Sequence, residues 1–365
     1  MSLPAPASPP LDLLVVGGGP SGLATAAYAA RAGLSVVVAE AKEGPIDKAC
    51  GEGLMPPGVA ALRDLGLDVT PSYPFVGIRH VGRGVAEARF RDGPGLGIRR
   101  VVLHAAMRGA AERLGVRFEQ VKVGEVSQDA DGVQAAGIRA RYLVAADGLH
   151  SGIRRQLGLG LPPRRPVRNG LRRHFAVAPW SEFVEIHWAA DCEAYVTPVA
   201  RDLVGVAVLF TGKGTFEDWM TRFPALQARL GAPVSRTLGA GAFEQRVRSR
   251  VAGRILLVGD AAGYLDPLTG EGIQLGLNAA RAAVSAIHAD DPASYEPAWR
   301  ALARRYWWLT SALLATTRPP LLRSLFVPLC RAFPPVFRGA VELLGGRGHP
   351  LPALPPPVVG PGDNH

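Results

Sequence analysis

The 365-residue sequence predicts a composite α/β and α+β fold, with a nucleotide-binding domain, an inserted antiparallel sheet and a helical C-terminal region. Residues 11–41 begin with an apolar run, a glycine turn and a run of small residues, which together indicate a β-α-β unit. Residues 165–250 carry alternating β-branched and aromatic runs typical of antiparallel strands. After residue 292 the chain is apolar with helical spacing, which indicates the third part of the fold.

The glycine turn at residues 17–22 follows the apolar run 13–16 and matches the pattern G-x-G-x-x-G of a Rossmann-like fold. Its first glycine permits a tight turn, its second admits a pyrophosphate, and its third lets the helix pack close to the sheet. Free amide groups at the helix start and the helix dipole favour phosphate charge. We expect cofactor contacts at Gly17, Gly19, Pro20, Ser21 and Gly22.

Glu40 closes the second apolar run, about twenty residues after the glycine turn. A carboxylate at this place accepts hydrogen bonds from a ribose diol and disfavours a ribose 2′-phosphate. This first motif therefore indicates FAD or NAD rather than NADP, without separating the two.

The remaining elements follow from periodicity and turn residues. Helices are predicted over 21–32, 59–65, 101–114, 216–230 and 272–287, and strands over 36–39, 75–99 (several short ones), 116–123, 132–147 (a hairpin), 183–187, 194–198, 203–210 and 254–258. The corresponding domain hypothesis assigns 1–74, 100–160 and 251–291 to the nucleotide-binding domain, 75–99 and 161–250 to the substrate domain, and 292–365 to the helical region with a proline-rich tail.

The net charge is +10, and the positively charged residues are most closely spaced between residues 164 and 173. This stretch could meet an anionic substrate or a membrane surface, or form a solvated face, and the last interpretation is favoured. No nucleic-acid motif accompanies it, so no nucleic-acid partner is expected.

Cys50, Cys192 and Cys330 are odd in number and far apart, so neither a disulfide framework nor a metal site is predicted and a reducing, cytoplasmic setting fits. Residues 1–10 lack the features of a signal peptide and are expected to form a flexible lead-in.

The apolar region after residue 292 contains no uninterrupted run of the roughly 18–20 apolar residues needed to cross a bilayer. It could lie on a membrane surface, flank a channel for a lipidic substrate, or pack against the core, and core packing is favoured.

Two further glycine-bearing segments, 146–151 and 259–273, join the first motif. With Arg100, they resemble the flavoprotein hydroxylase superfamily through about residue 290, which implies FAD as the cofactor. The resemblance implies that Asp260 binds near the ribityl chain or pyrophosphate, and that a helix N-terminus faces the flavin pyrimidine ring. Asp147 is either a ligand or a helix cap. The cofactor contacts implied here are Arg100, Val123, Asp147, Asp260, Pro267, Gly270, Gly272 and Ile273.

Segment 48–54 resembles the cysteine-glycine loop of the geranylgeranyl reductase branch, which borders the isoalloxazine ring, and adds Ala49, Cys50 and Gly51 as contacts. Segment 267–273 resembles the Pro-Leu-Thr-Gly-Glu-Gly-Ile of that branch, and 193–198 resembles its aromatic strand, with Tyr195 in the aromatic place. The Trp-x-Trp-x-Ile-Pro motif of flavin halogenases is missing from the sequence, which disfavours halogenation.

The resemblance implies hydride delivery from flavin N5 to a carbon–carbon double bond of a hydrophobic substrate, prenyl or polyketide-like. Cys50 is a candidate proton donor or gate, or else a packing thiol. Glu52 is a supporting candidate, and Tyr195 is a cavity wall or a sheet aromatic. Electrons would come from NAD(P)H or a carrier protein. A transient contact of the protein with a membrane surface is a further expectation.

One alternative function is an FAD monooxygenase that hydroxylates an aromatic substrate through a flavin hydroperoxide. Another is a flavin-binding carrier without turnover.

Overall fold

The computed structural model describes residues 11–346. The lead-in over 1–10 and the proline-rich tail after residue 348, both expected from the sequence, lie outside the described residues. The helices are α1 Pro20–Arg31, α2 Pro56–Asp64, α3 Arg100–Arg113, α4 Gly152–Gln156, α5 Phe216–Met220, α6 Pro224–Gln227, α7 Gly272–His288, α8 Tyr295–Thr317, α9 Pro320–Ala332 and α10 Pro334–Gly345.

The strands comprise ten in the first part of the chain, β1 Leu11–Val16, β2 Val36–Glu40, β3 Gly53–Leu54, β4 Tyr73–Phe75, β5 Gly77–Gly82, β6 Gly84–Arg89, β7 Gly95–Gly97, β8 Arg117–Gln120, β9 Val126–Gln128 and β10 Val133–Ala135. The others are β11 Ile138–Ala145, β12 Gly160–Leu161, β13 Arg168–Phe175, β14 Val184–Trp188, β15 Cys192–Ala200, β16 Leu203–Thr211, β17 Leu238–Gly241, β18 Arg246–Val247, β19 Val251–Ala252 and β20 Ile255–Leu257.

A largely parallel sheet has the order β19-β20-β11-β1-β2-β8, with β10 and β9 as a hairpin extension of β11. Strand β1 is almost fully buried and pairs in parallel with β2 on one side and β11 on the other. Because the chain leaves β1 in one direction and returns on the other side as β11, a crevice opens beyond the carboxyl ends of these strands. The glycine turn that follows β1 lies in this crevice.

A second sheet has the order β17-β13-β16-β15-β14-β5-β6 and is antiparallel except between β14 and β5. Its two faces differ because alternate side chains point to opposite sides of a strand. One face carries the buried residues of β15 and β16 that pack on α5 and α6, including Val196 and Val206. The other face includes Tyr195 and Ile186 and borders a large cavity.

Helices α8, α9 and α10 close this cavity from the far side. Val327, Phe337 and Val341 of α9 and α10 pack with Ile78 and Ile186 of the second sheet. No described helix combines the length and the apolar character needed to cross a membrane. The C-terminal helices and the second sheet line opposite sides of this cavity.

Most long elements confirm the sequence-based expectations to within about two residues, including α1, α3, α7 and the hairpin that ends in β11. The helix predicted over 216–230 is wrong, because the chain forms two short helices there. Phe223 leaves the helical region at φ −129° and ψ 57°, as expected before Pro224, which lacks an amide hydrogen and then begins α6.

Candidate active site

A single cavity of about 1110 Å³ extends from the glycine turn after β1 to the C-terminal helices. Its first part, called here the cofactor end, is lined by residues 19–21, 47–53, 146–150, 267–270 and 272–273, with Arg100 and Asp260. Its second part, called here the vault, is lined by side chains of β5, β14 and α8–α10. Most expected site residues meet at the cofactor end, although they come from distant parts of the sequence.

The glycine turn fits a bound dinucleotide. At Gly17, with φ +105°, an added Cβ would lie 2.4 Å from the Ala146 carbonyl oxygen, and at Gly22 it would lie 1.8 Å from the Gly17 carbonyl oxygen. Both glycines are therefore fixed by backbone packing. At Gly19 the nearest atom would be Nη2 of Arg100 at 3.8 Å, so space remains in front of this residue. That space is where a pyrophosphate approaches in such folds.

Three buried polar atoms of lining residues at the cofactor end have no hydrogen-bond partner within residues 11–346. They are Nε of Arg100, Oδ1 of Asp147 and Nε of Arg172. Asp147 Oδ2 accepts a hydrogen bond from the Ile153 amide at 3.2 Å, so this carboxylate caps α4 with one oxygen and keeps the other free. Because buried polar groups are nearly always satisfied, these free atoms fit a polar ligand such as FAD.

Charge at the cofactor end also suits a pyrophosphate. Burial lowers the pKa of the Lys48 ammonium, and the neighbouring Arg100 lowers it further. Burial raises the pKa of Asp260, against the attraction of Arg100, Lys48 and Arg154. Three cations thus lie around one carboxyl group in a buried crevice, an arrangement that a diphosphate would balance.

Glu40 lies behind the glycine turn and does not line the cavity. Its Oε2 accepts a hydrogen bond from the Gly18 amide at 2.7 Å, and its Oε1 accepts one from the Lys42 amide at 2.9 Å. Each oxygen keeps a lone pair, so a ribose contact stays a prediction. Val123 follows β8 without regular structure and also lies away from the cavity lining, so no observation supports a cofactor contact there.

The loop 267–273 is held by α8. The Tyr306 hydroxyl accepts hydrogen bonds from the amides of Leu265 and Asp266, each at 3.1 Å, and donates to the Asp266 carbonyl at 3.0 Å. Helix α7 then begins at Gly272 without a side-chain cap. Gly272 and Ile273 line the cavity, so their amides and the positive end of the helix dipole are available to a cofactor ring.

The loop 48–53 lies opposite. The Cys50 Sγ accepts a hydrogen bond from the Glu52 amide at 3.4 Å, and burial raises the pKa of this thiol. Cys50 is therefore a protonated thiol rather than a thiolate. The Thr197 hydroxyl fixes the loop by donating to the Gly51 carbonyl at 2.7 Å, and an added Cβ at Gly51 would meet nothing within 4 Å. The thiol and Gly51 thus border open space.

Glu52 has the left-handed conformation, with φ +59°, which is unfavourable for a residue that carries a side chain. Its side chain is buried, with 4% of the residue exposed. Oε1 accepts a hydrogen bond from the Arg100 amide at 2.8 Å, and Oε2 accepts one from His174 Nε2 at 2.6 Å. This carboxylate therefore joins the loop to α3 and β13.

Sequence reasoning missed the partners of Glu52. Arg172 Nη1 donates to Nδ1 of His174 at 3.1 Å, so the His174 proton is assigned to Nε2, which faces Glu52. Arg172 Nη2 also pairs with Asp47 and donates to the Lys48 carbonyl at 3.2 Å. The sequence pattern that could have predicted these contacts is the two-residue period of a strand, because residues 168, 170, 172 and 174 share one face of β13.

The expectation that residues 164–173 form a solvated face is wrong for Arg168 and Arg172, which are buried on β13, whereas Arg164 is exposed. Arg168 pairs with Glu193 and, at 3.1 Å, with Asp266, while Arg323 of α9 pairs with Glu193 at 2.6 Å. We call Arg168, Glu193, Asp266 and Arg323 the four-charge cluster. It connects the loop before α7 to the second sheet and to the C-terminal helices.

Two tyrosines border the cavity between its ends. The Tyr195 hydroxyl donates to the Leu268 carbonyl at 3.1 Å, and burial raises its pKa well above the usual range. Tyr264, which sequence reasoning missed, stacks on Tyr306 with ring centroids 6.2 Å apart, and burial raises its pKa in the same way. Both rings remain neutral walls that fix the width of the cavity.

The vault is apolar. Its side chains from α8–α10 include no charged group: they are Leu309, Ala312, Leu313, Thr316, Leu322, Phe326, Leu329, Cys330, Phe333, Val336, Phe337, Ala340, Val341 and Leu344. The sequence had left open whether this region packs in the core, flanks a channel or lies on a membrane. The helices do pack against the sheet, and their inner faces line the channel as well. No group of His, Cys, Asp or Glu side chains within residues 11–346 is arranged to hold a metal ion.

Residues 96–229 match the family described as FAD binding domain, and residues 15–45 match the NAD(P)-binding Rossmann-like domain. The menaquinone reductase of Mycolicibacterium smegmatis is 30% identical in an alignment of 338 positions that covers 81% of this chain and 81% of the relative. The chloroplastic geranylgeranyl diphosphate reductase of Oryza sativa is 29% identical over 88% of this chain and 78% of the relative. A flavoprotein/dehydrogenase from Cytophaga hutchinsonii shares the fold, with a TM-score of 0.78, 19% identity and coverage of 92% of both chains.

The free polar atoms, the glycine turn and these relatives agree on one assignment. The chain belongs to the flavoprotein hydroxylase superfamily of FAD-dependent oxidoreductases, in its geranylgeranyl reductase-like branch.

Proposed function

We propose that this protein is an FAD-dependent reductase that saturates a carbon–carbon double bond in a hydrophobic, prenyl-type or polyketide-like molecule. The observation that carries this proposal is the continuity of one cavity, which joins a charged cofactor end to an apolar vault. Apolar cavities with a few convergent polar groups are typical of small-molecule sites. The names of the relatives support the same substrate class, because both are reductases of prenylated molecules.

FAD, when bound, supplies the hydride for the double bond. The chain's own residues do the rest. The turn at Gly19, with Arg100 and Lys48, would hold the pyrophosphate, and the amides of Gly272 and Ile273 would stabilise negative charge on the pyrimidine ring. The vault would bind the apolar part of the substrate and exclude water, which fixes the reacting carbon beside the cofactor.

Cys50 is the proton donor that the geometry favours. Its thiol keeps its proton because burial raises its pKa, and it borders the open space at Gly51. Tyr195 is a weaker candidate because its hydroxyl already donates to the Leu268 carbonyl. Glu52 would act through position alone, by holding the loop that carries Cys50 against α3 and β13.

NAD(P)H is the electron donor that we propose. The match to an NAD(P)-binding domain covers the same glycine turn that FAD would occupy, so it supports one dinucleotide site and not a second. A transiently bound nicotinamide or a reduced carrier protein are the two sources to compare. Bleaching of the flavin absorbance by NADPH, by NADH or by reduced ferredoxin would identify the source.

The proposal is tested with purified holoenzyme, NADPH and menaquinone or geranylgeranyl diphosphate. We expect the mass of the product to rise by two hydrogens for each double bond reduced, with no need for oxygen. A product that gains one oxygen atom would instead establish the monooxygenase alternative. Tight FAD binding without any substrate-stimulated oxidation would indicate the flavin-binding carrier.

We further propose that the substrate enters from a membrane surface in contact with α9 and α10. Leu322, Leu329, Phe333 and Val336 line the vault and have exposed fractions between 43% and 72%. Leu321, of which 71% is exposed, extends this apolar surface without lining the cavity.

Leu321→Glu should reduce co-sedimentation of the protein with phosphatidylglycerol vesicles. Val234→Glu, at a residue 55% exposed elsewhere, is the matched control and should not. Equal sedimentation of the two variants would contradict this entry route.

A further inference from the structure

His80 of β5 lies in the wall of the vault and is 8% exposed. Three aromatic rings surround it, with centroids 5.7 Å away for Trp188, 5.1 Å for Phe326 and 5.2 Å for Phe337. Phe326 and Phe337 come from α9 and α10, so this histidine sits where the second sheet meets the C-terminal helices. It is a polar group in an otherwise apolar chamber.

The hydrogen-bond pattern assigns the proton of His80. The Trp188 indole Nε1 donates to Nδ1 of His80 at 2.8 Å, so Nδ1 is an acceptor and the ring proton is on Nε2. Burial lowers the pKa of His80 to about 3, which keeps the ring neutral under ordinary conditions. None of residues 11–346 accepts a hydrogen bond from Nε2, and His80 is one of the residues that line the cavity.

Because Nε2–H has no partner among these residues and is not one of the fully buried polar atoms, it is open to the cavity, where a ligand oxygen can accept its hydrogen bond. We propose that Nε2–H of His80 is the hydrogen-bond donor that seats an uncharged oxygen of the substrate, such as a quinone or ketone carbonyl, inside the vault. This inference rests on the proposed function, because it assumes that a hydrophobic substrate occupies the cavity.

The charge of the vault argues for an uncharged oxygen. A phosphate or diphosphate would have to leave water beside a neutral imidazole and apolar side chains, with no cation among the lining residues of α8–α10. The cations that line the cavity are Lys42, Lys48, Arg100, Arg172 and Arg236, and none of them belongs to β5, β14 or α8–α10, the elements that form the vault. A carbonyl oxygen needs only a single N–H donor. A site built to donate such a bond should discriminate against an analogue that lacks the acceptor.

Binding is measured with the oxidised holoenzyme, from the change in flavin absorbance on titration with menaquinone or with squalene, an isoprenoid hydrocarbon without oxygen. His80→Phe keeps an aromatic ring but removes the donor. Trp188→Phe is the matched control, because it breaks the same bond between the two rings and keeps the imidazole. We expect His80→Phe to weaken menaquinone binding about tenfold and Trp188→Phe to weaken it less than about threefold. Both variants should bind squalene like the parent.

His80→Gln, which keeps an N–H donor of similar reach, should recover most of the affinity for menaquinone and covers the case in which His80→Phe does not fold. Equal menaquinone affinities for His80→Phe and Trp188→Phe would overturn the inference, as would an equal loss for squalene or a parent protein that does not prefer menaquinone. Selective loss of menaquinone binding in a protein that reduces no double bond would instead leave this subsite standing and refute the proposed function.

Discussion

The cofactor end and the vault belong to one cavity but are built on different principles. At the cofactor end, backbone groups and charges define the site, and an added Cβ at Gly22 would lie 1.8 Å from a carbonyl oxygen. In the vault, side chains such as Leu313 and Phe326 define only volume and polarity. Apolar residues of similar size can replace one another at little cost in stability, whereas Gly22 cannot be replaced by a residue with a side chain. A site formed by backbone groups can therefore be recognised from a sequence motif. A site formed by side-chain packing can be recognised only from an apolar composition.

The four predictions below test this contrast, and they begin with the largest effect. Glu52→Ala should lower the free energy of unfolding by about 3–5 kcal/mol, because it leaves the buried Arg172 and His174 without a shared partner. Glu52→Gly should lose about 1 kcal/mol less than Glu52→Ala, because glycine tolerates the positive φ. Urea unfolding followed by circular dichroism measures both.

Glu87→Ala is the control for that series, because Glu87 pairs with Arg79 on the surface and should matter by less than about 1 kcal/mol. If Glu52→Ala were no more destabilising than Glu87→Ala, the cofactor end would not depend on this buried network.

Replacement of the two cysteines that line the cavity compares its two ends directly. Cys50→Ala should keep FAD bound and slow turnover by about a hundredfold, the usual loss when a general acid is removed. Cys330→Ala, in the vault, should leave the rate within about twofold, because it removes only a small packing contact. Steady-state rates with matched flavin content decide between them. An unchanged rate for Cys50→Ala would make Cys50 a packing thiol.

Asp266 links the two ends, because the four-charge cluster joins its loop to α9. Burial raises the pKa of Asp266 to about 6, above the ordinary value of 3.8. The folded state therefore binds this proton more tightly, so the group stabilises the protein below about pH 4. That stability is lost as the pH rises through about 6. Between pH 4 and pH 7, the free energy of unfolding of the parent should therefore fall by about 2 kcal/mol relative to that of Asp266→Asn.

Thermal or urea unfolding across this pH range measures that slope. Asp68→Asn removes an exposed carboxylate and should leave the slope of the parent unchanged. If the free energies of unfolding of the parent and of Asp266→Asn depended on pH in the same way, Arg168 would keep Asp266 charged at no net cost in stability.

Gly19→Ala tests whether the space at the glycine turn is meant for a ligand. Gly19 has φ −72° and ψ 177°, which alanine adopts without strain, and its nearest neighbour would be 3.8 Å away. The protein should therefore fold normally, while affinity for FAD falls about tenfold because the methyl group occupies the place of the pyrophosphate. Titration of the apoprotein with FAD measures this. Gly124→Ala, where an added Cβ meets nothing within 4 Å, should bind FAD like the parent.

The fold and the cofactor end could largely be predicted from the sequence. The strand, turn and helix of the first unit, the Cys50 loop and the segment 267–273 are local patterns, and the structure brings them to one cavity. The Glu52–His174 contact could not be predicted, because 122 residues separate two side chains that no motif connects. The buried arginines of β13 were misjudged for the same reason, since their carboxylate partners lie on other strands and loops.

The sequence by itself determined where the backbone must turn tightly, where a helix must begin with free amides, and that the region after residue 292 would be apolar and helical. These properties depend on residues close together in the chain. Only the tertiary structure decided that α8–α10 face inward to complete a vault, that Arg168 and Arg172 of the densest arginine cluster are buried in ion pairs, and that His80 keeps a free N–H in the wall of the vault. Such outcomes depend on which distant surfaces come into contact, and a long-range contact leaves no fixed spacing in the chain.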